Sequence, residues 1–414
     1  MRTTMPKAAL AAAGAMLLTV AGCSTDGSED AGTSAPGAQS PAADSAAPSP
    51  SKTAGDKWFG QATYDKENTQ RTAKFSGDAT KPYLQYLPGP MTDTTAYKTT
   101  GAKKVCFSNA SISNPWRQTG WITMNQQLAA LKTAGVLSSM ETRDAKDDDN
   151  AQISDIDYFI KEGRCDAFVI SPSSTAALTP AVERACATKK PVVVFDRGVN
   201  TTCATTFIHP VGGYAWGIDT ATFLTSNLKS GDKVVALRIL PGVDVLEHRW
   251  AAAKRIFAAK GIKATDHFTK GDPAEIKKIV SDELAKGDVQ GVWMDAGDGA
   301  VAAVEAFEDA GKGYPVMTGE DEMSFLRKWD KTGLNGLAPV YSNFQWRTPL
   351  LALQKIFAGQ QVPKEWVLPQ TPITKAERAT YLKANQGMPD GHYAKYGGED
   401  LPGYPTVWQK RVMP

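Results

Sequence analysis

The sequence predicts an α/β fold of two doubly wound lobes, each a parallel sheet with helices on both faces. Three observations carry that expectation. Short runs of β-branched and apolar residues alternate with segments whose apolar side chains recur at helical spacing. The runs are apolar from end to end, as strands buried on both faces are, rather than alternating apolar and polar. They also fall into two series of four or five strands, one from about residue 103 to 209 and one from about 233 to 341, which suggests two lobes rather than one sheet.

The chain has 414 residues, enough for two or three domains of roughly 100–200 residues each. It opens with MRTTMPKAALAAAGAMLLTVAGC, in which Arg2 and Lys7 precede an apolar run from Ala8 to Val20. This is the layout of a secretory leader. The leader ends Val20-Ala21-Gly22-Cys23, followed by Ser24 and a polar spacer. That ending resembles a bacterial lipobox, which implies cleavage before Cys23 and lipidation of its thiol. Residues 24–56 are dominated by Ser, Ala, Pro, Gly, Thr, Asp and Glu, with no aromatic or branched aliphatic side chain. Such a segment cannot bury enough apolar surface to offset its ordering entropy, and it reads as a disordered tether.

Charge narrows the function. The 46 Lys and Arg residues against 44 Asp and Glu give +2, and Arg2 and Lys7 in the acid-free leader account for that excess. A neutral remainder without a long basic run argues against nucleic acid, whose phosphates demand a basic surface. After the leader no apolar run reaches the roughly 18 residues that spanning a membrane requires.

Residues 57–102 bring aromatic side chains back (Trp58, Phe59, Tyr64, Phe75, Tyr83, Tyr86, Tyr97) among turn formers, without a sustained period. They read as an extension packed along the main domain. The first series then runs KKVCFSN (103–109), a helix carrying Trp116, Trp121, Met124, Leu128 and Leu131, DAFVIS (166–171) with a helix through Val182, PVVVFD (191–196) and TTFIH (205–209). The second runs KVVALRIL (233–240), a helix from about Leu246 to Ala259, VQGVWMD (289–295), a helix through Val304 and Phe307, PVMTGE (315–320) and an apolar strand at 337–341.

In doubly wound sheets ligands bind beyond the carboxyl ends of the strands. The residues there are Asn114, Pro115, Trp116 and Arg117; Asp196 and Arg197; Arg249, early in its helix; Asp295 and Asp298; Glu320 and Asp321; and Asn343, Gln345 and Trp346. Planar groups that donate or accept in pairs suit adjacent hydroxyls. Trp offers an apolar platform to the C–H face of a ring. Together they are the chemistry a carbohydrate needs.

The lipobox-like leader, the tether, the SNPWR turn, PVVVFDR, the position of Arg249 and the GED turn resemble a type I periplasmic-binding-protein fold. The nearest likeness is to the ribose-binding-like sugar-binding proteins of ABC importers, over roughly residues 103–375. The resemblance implies that Asn114, Trp116 and Arg117 contact a sugar, that Asp196, Arg197 and Arg249 hydrogen-bond it, and that Gly319-Glu320-Asp321 stands for a Gly-aromatic-Asp turn. Trp116-Arg117 looks more like galactofuranose-type binders than ribose binders. Glu320 replaces the family's aromatic residue, Asp295 is the nearest substitute for a missing Asn, and Gln345 matches a Gln at a crossing between lobes. Three crossings are implied, near His209-Pro210, Gln345 and Pro369. They divide the chain into a signal peptide (1–23), a tether (24–56), an extension (57–102), an N-lobe (103–208 plus 346–368) and a C-lobe with tail (209–345 plus 369–414). The tail after Ala376 reads as surface packing.

Four cysteines besides Cys23 allow three pairings. Cys186 and Cys203 flank the PVVVFDR strand, so a bridge between them is preferred, while Cys106 reads as a buried thiol. Scattered histidines and the lack of CxxC spacing argue against zinc, and Asp147-Asp148-Asp149 lacks the alternation of a calcium loop. No phosphate loop, HExxH or GxSxG occurs, so no cofactor is expected. The expected function is a lipid-anchored, monomeric binding protein that hands a monosaccharide-like ligand to an ABC permease and is not an enzyme. The alternatives are a secreted carbohydrate-active hydrolase using Asp295 with Glu320 or Asp321, and a sugar-sensing lipoprotein that presents its closed form to a receptor.

Overall fold

A computed structural model describes residues 57–297, 299–401, 403 and 406. The leader, the tether, the lipidation expected at Cys23 and the candidate Asp298 lie outside the described residues. In chain order the elements are α1 (Gln61–Gln70), β1 (Met91–Thr92), β2 (Lys103–Asn109), α2 (Pro115–Thr133), β3 (Leu137–Asp144), α3 (Asp149–Glu162), β4 (Ala167–Ser171), α4 (Thr175–Ala187), β5 (Val192–Phe195) and β6 (Thr206–Pro210). There follow α5 (Gly213–Asn227), β7 (Lys233–Arg238), α6 (Asp244–Ala259), β8 (Lys263–Phe268), α7 (Pro273–Ala285), β9 (Gly291–Met294), α8 (Ala300–Asp309), β10 (Val316–Thr318), α9 (Met323–Thr332) and β11 (Gly336–Leu337). The chain closes with α10 (Thr348–Phe357), β12 (Val362–Pro363), β13 (Glu365–Leu368) and α11 (Arg378–Ala384).

Two parallel sheets organise these elements. The N-lobe sheet has six strands in the order β13-β6-β5-β4-β2-β3, and the C-lobe sheet has five in the order β11-β10-β9-β7-β8. Leaving β13 aside, the two orders are the same. In each, the first strand of the series lies between the second and the third, which opens a switch point at the carboxyl ends of β2 and β4 and of β7 and β9. Val105, Val169, Val193 and Val194 in one sheet and Val234, Val235, Val292 and Met317 in the other are 0 % exposed, because helices cover both faces.

The chain passes between lobes after β6, between β11 and α10, and after β13. The second and third passages are tied together: Ser342 Oγ donates to the Pro369 carbonyl, and Ala338 bridges Ile373. The apolar strand expected at 337–341 is only β11, two residues long; Asn343–Trp346 form a 3-10 helix instead. Pro339, with no backbone N–H, cannot continue a ladder.

Both disulfides brace the N-lobe. Cys186 joins Cys203, and Cys106 joins Cys165, so Cys106 is a bridge partner rather than a free buried thiol. The extension is pinned near its start and again past its middle. Gly60 N donates to the Tyr214 hydroxyl in α5, whereas Leu87 N donates to the Val367 carbonyl in β13. Among the described residues no helix is long and apolar enough to cross a membrane.

Candidate functional site

The carboxyl ends of both sheets face a cleft of about 100 Å³ that residues from both lobes line. On the N-lobe side the strand-to-helix turn after β2 sets the geometry. Asn114 caps α2, its Oδ1 accepting from Arg117 N at 2.9 Å, and Pro115 occupies the first helical position. That cap fixes the first turn and aims Arg117 at Asp196, with Nη2 3.0 Å from Oδ2. Both side chains are almost wholly buried. Asp196 follows β5 with φ 69°, a left-handed conformation that Asp tolerates better than most residues. Its neighbour Arg197 donates to the Ser173 carbonyl and lies 3.9 Å from Asp147. Trp116 is held through its indole Nε1, which donates to the Tyr341 carbonyl at 2.8 Å.

On the C-lobe side the key residue is Arg249 in α6. This helix lies unusually close to α5, because a Cβ on Gly217 would fall 2.1 Å from the Arg249 carbonyl and one on Gly213 would fall 2.3 Å from that of Val245. The guanidinium sits 4.0 Å over the Trp216 ring and 4.7 Å from the Tyr341 ring, donates to the Asp295 carbonyl and approaches Glu320 Oε1 at 3.9 Å. Its Nε has no hydrogen-bond partner. Glu320 is fixed from behind, Oε2 accepting from Gly297 N at 2.8 Å and from the Tyr393 hydroxyl at 3.0 Å.

Asn114, Trp116, Arg117, Asp196, Arg197, Arg249 and Glu320 therefore line one cleft. Other candidates, Asp295, Asp321, Asn343, Gln345 and Trp346, do not. Asp295 stands behind Arg249: its Oδ1 accepts from Ile239 N at 3.0 Å, its Oδ2 has no partner, and burial pushes its carboxyl up to about 7. Asp321 turns toward the tail, where it accepts from Lys395 N at 2.7 Å, and burial raises it to about 6. Gln345 is buried in the 3-10 helix with both amide atoms unpartnered. Trp346 is core, edge-on to Phe107 and Phe195. The carboxylate pair a hydrolase needs, Asp295 with Glu320 or Asp321, is not presented together to the cleft.

Sequence reasoning missed Ser113, Asp147, Tyr341 and Tyr393, all of which line the cleft. Tyr341 was hidden in an apolar run that reads as strand. Tyr393 lies in the tail expected only to pack on the surface. In fact Glu322 bridges Tyr393, and the tail delivers a phenol to Glu320. Asp147 was signalled by the acidic run. Of its neighbours, Asp148 caps α3 and Asp149 accepts from Ser174 at 2.8 Å. Among the described residues no group of three or more His, Cys, Asp or Glu is placed to hold a metal ion.

The cleft thus offers three guanidinium groups, two buried carboxylates and aromatic surfaces, disposed to hold a polar ring by directed hydrogen bonds and stacking. Residues 105–338 match the family described as periplasmic binding protein domain. A ribose import binding protein of Bacillus subtilis (strain 168) is 30 % identical over 176 residues, which span 42 % of this chain and 57 % of that protein. An ABC transporter solute binding protein from Thermobispora bispora DSM 43833 superposes with a TM-score of 0.62 at 24 % identity, over 73 % of this chain and 96 % of its own. An ABC transporter solute binding protein from Bacillus halodurans C-125 with bound myo-inositol gives 0.60 at 16 % identity, over 68 % of this chain and 98 % of its own. A galactofuranose binding protein also gives 0.60 at 16 % identity, over 70 % of this chain and all of its own. At these identities the structural likeness shows a shared fold.

Proposed function

The chain belongs to the periplasmic binding protein domain family, a family of solute-binding proteins rather than enzymes, and from that premise we propose that it captures a monosaccharide-like ligand between its lobes. The observation that carries this reading is the convergence of Arg117, Asp196 and Arg197 from one lobe with Arg249 and Glu320 from the other. The groups come from the starts of α2 and α6 and the ends of β5 and β10, and together they offer donors and acceptors in pairs to adjacent hydroxyls. The names of the similar proteins, which speak of ribose, galactofuranose and myo-inositol, support a polyhydroxylated ring.

Closure of the lobes about their three passages would present a new surface to an ABC permease. The lipobox-like ending at Cys23 and the polar tether support anchoring to the outer face of the cell membrane, with the binding unit acting as a monomer. Isothermal titration against pentoses and hexoses, including furanose-rich sugars, tests the ligand class. One saccharide should bind per chain and be recovered unchanged. Turnover of the bound sugar would favour the hydrolase, and silence across all saccharides would overturn the carbohydrate reading.

A further inference from the structure

Beside the cleft lies a second, larger chamber of about 360 Å³. Asp196, Arg197, Val243, Val245 and Tyr341 line both spaces, so the chamber adjoins the cleft and shares walls with it. Its roof is α1, from the extension that precedes the two lobes. Thr63, Lys66, Glu67 and Gln70 line the chamber, and their spacing of i, i+3, i+4, i+7 is one face of a helix. Glu67 in this stripe accepts from Ala215 N at the start of α5, at 3.1 Å, whereas Thr63 and Gln70 extend the polar face along the chamber.

The walls repeat the chemistry of the cleft. Ser173, Ser174 and Thr175 line it from the turn before α4 and from its first residue; the first two hydroxyls donate to Asp149, which leaves their oxygens as acceptors. Flat ring surfaces come from Phe207 and His209, stacked at 4.3 Å, and from His248, which is backed by Tyr214 at 4.4 Å. Three of the long side chains around the chamber are tied to its walls. Lys66 Nζ donates to Glu365 at 2.8 Å, His209 Nε2 lies 3.2 Å from the same carboxylate, and Arg197 is held by the Ser173 carbonyl. The space is thereby kept clear while remaining lined with hydrogen-bonding groups and ring faces.

We propose that the chamber is a second subsite, and that the preferred ligand is a disaccharide or glycoside with one ring in the cleft and the attached group under α1. This rests on the saccharide reading of the cleft and narrows it. Titration of the full chain should compare galactose with lactose and melibiose, glucose with maltose and trehalose, and fructose with sucrose.

At least one two-ring sugar should bind about tenfold or more tightly than its monosaccharide, a difference of about 1.4 kcal/mol. Gln70→Trp and Thr63→Trp, which fill the chamber from its roof, should each abolish that preference while leaving monosaccharide affinity and melting temperature unchanged. A monosaccharide that binds as tightly as its two-ring sugars, or roof variants that weaken both classes equally, would overturn the second subsite and leave the cleft reading intact. Silence toward this panel and toward the pentoses alike would overturn the cleft reading itself.

Discussion

The two lobes share a strand order but hold their halves of the cleft by different means. In the N-lobe the charges are already matched: Arg117 and Asp196 pair at 3.0 Å, and two disulfides tie α4 to the loop before β6 and β2 to the start of β4. In the C-lobe Arg249 lies between two rings with an unpartnered Nε, Asp295 keeps an unpartnered oxygen, and no disulfide is found among the described residues. The tail does the bracing there, with Tyr393 on Glu320 and the Lys395 amide on Asp321. At the cleft, the N-lobe wall is organised by a short ion pair, whereas the C-lobe wall carries an arginine whose Nε is unpartnered. Unmet hydrogen-bonding groups in a buried site raise the benefit of a ligand that satisfies them.

This contrast can be broken at several points. Replacing Cys106 and Cys165 together by Ser opens a loop with a sequence separation of 59. By the loop-entropy account this should cost about 4 kcal/mol. The loss would appear as a lower denaturation midpoint, while reductant should leave unaffected a variant with Cys106, Cys165, Cys186 and Cys203 all replaced by Ser. Equal midpoints for wild type and the Cys106/Cys165 variant would show that the N-lobe does not depend on that bridge.

The C-lobe should respond to pH. Burial lifts Asp295 to about 7 from an ordinary value of about 3.9. Between those limits the folded chain holds a proton that the unfolded chain has lost, so stability falls as pH rises through the window. Asp295→Asn should flatten that fall in melting temperature. Glu67, at about 7, and Asp321, at about 6, contribute with the same sign and remain in the variant. An unchanged slope would place the Asp295 carboxyl in a more polar setting than the fold gives it.

For the ligand, Arg249→Ala and Asp196→Asn should each weaken affinity by roughly 1.5–3 kcal/mol, the scale of a hydrogen bond to a charged group. Asn is chosen at 196 because it also tolerates the left-handed backbone there. Unchanged affinity in both variants would mean that the ligand sits elsewhere. Tyr393→Phe should have the smallest effect, about 1 kcal/mol in affinity, since Glu320 keeps its bond from Gly297. A loss as large as that of Arg249→Ala would make the tail a direct contact rather than a brace.

The buried strands were legible because apolar continuity marks them, as in PVVVF and VQGVWM. The edge strands β3 and β8 were quieter, since LSSMETRD and KATDHF lie on the rim of each sheet and are mostly half-buried or exposed. Residues just past strand ends were legible by position alone, and seven of them do line the cleft. Position could not say which side chain turns inward and which turns to a neighbour, so Asp295, Asp321 and Gln345 were placed in the cleft with the rest. Nor could it reach Tyr393, Glu67 or Gln70. These come from segments far away in sequence whose weak periodicity reflects contacts shared between other elements rather than a core of their own.

The two walls should close on one saccharide without reacting with it. Small-angle scattering of the full chain, with and without the saccharide that titrates most tightly, tests it directly. A fall in the radius of gyration at one saccharide per chain, with the sugar recovered intact, is the expected result. An unchanged radius at saturation, or a consumed sugar, would contradict it.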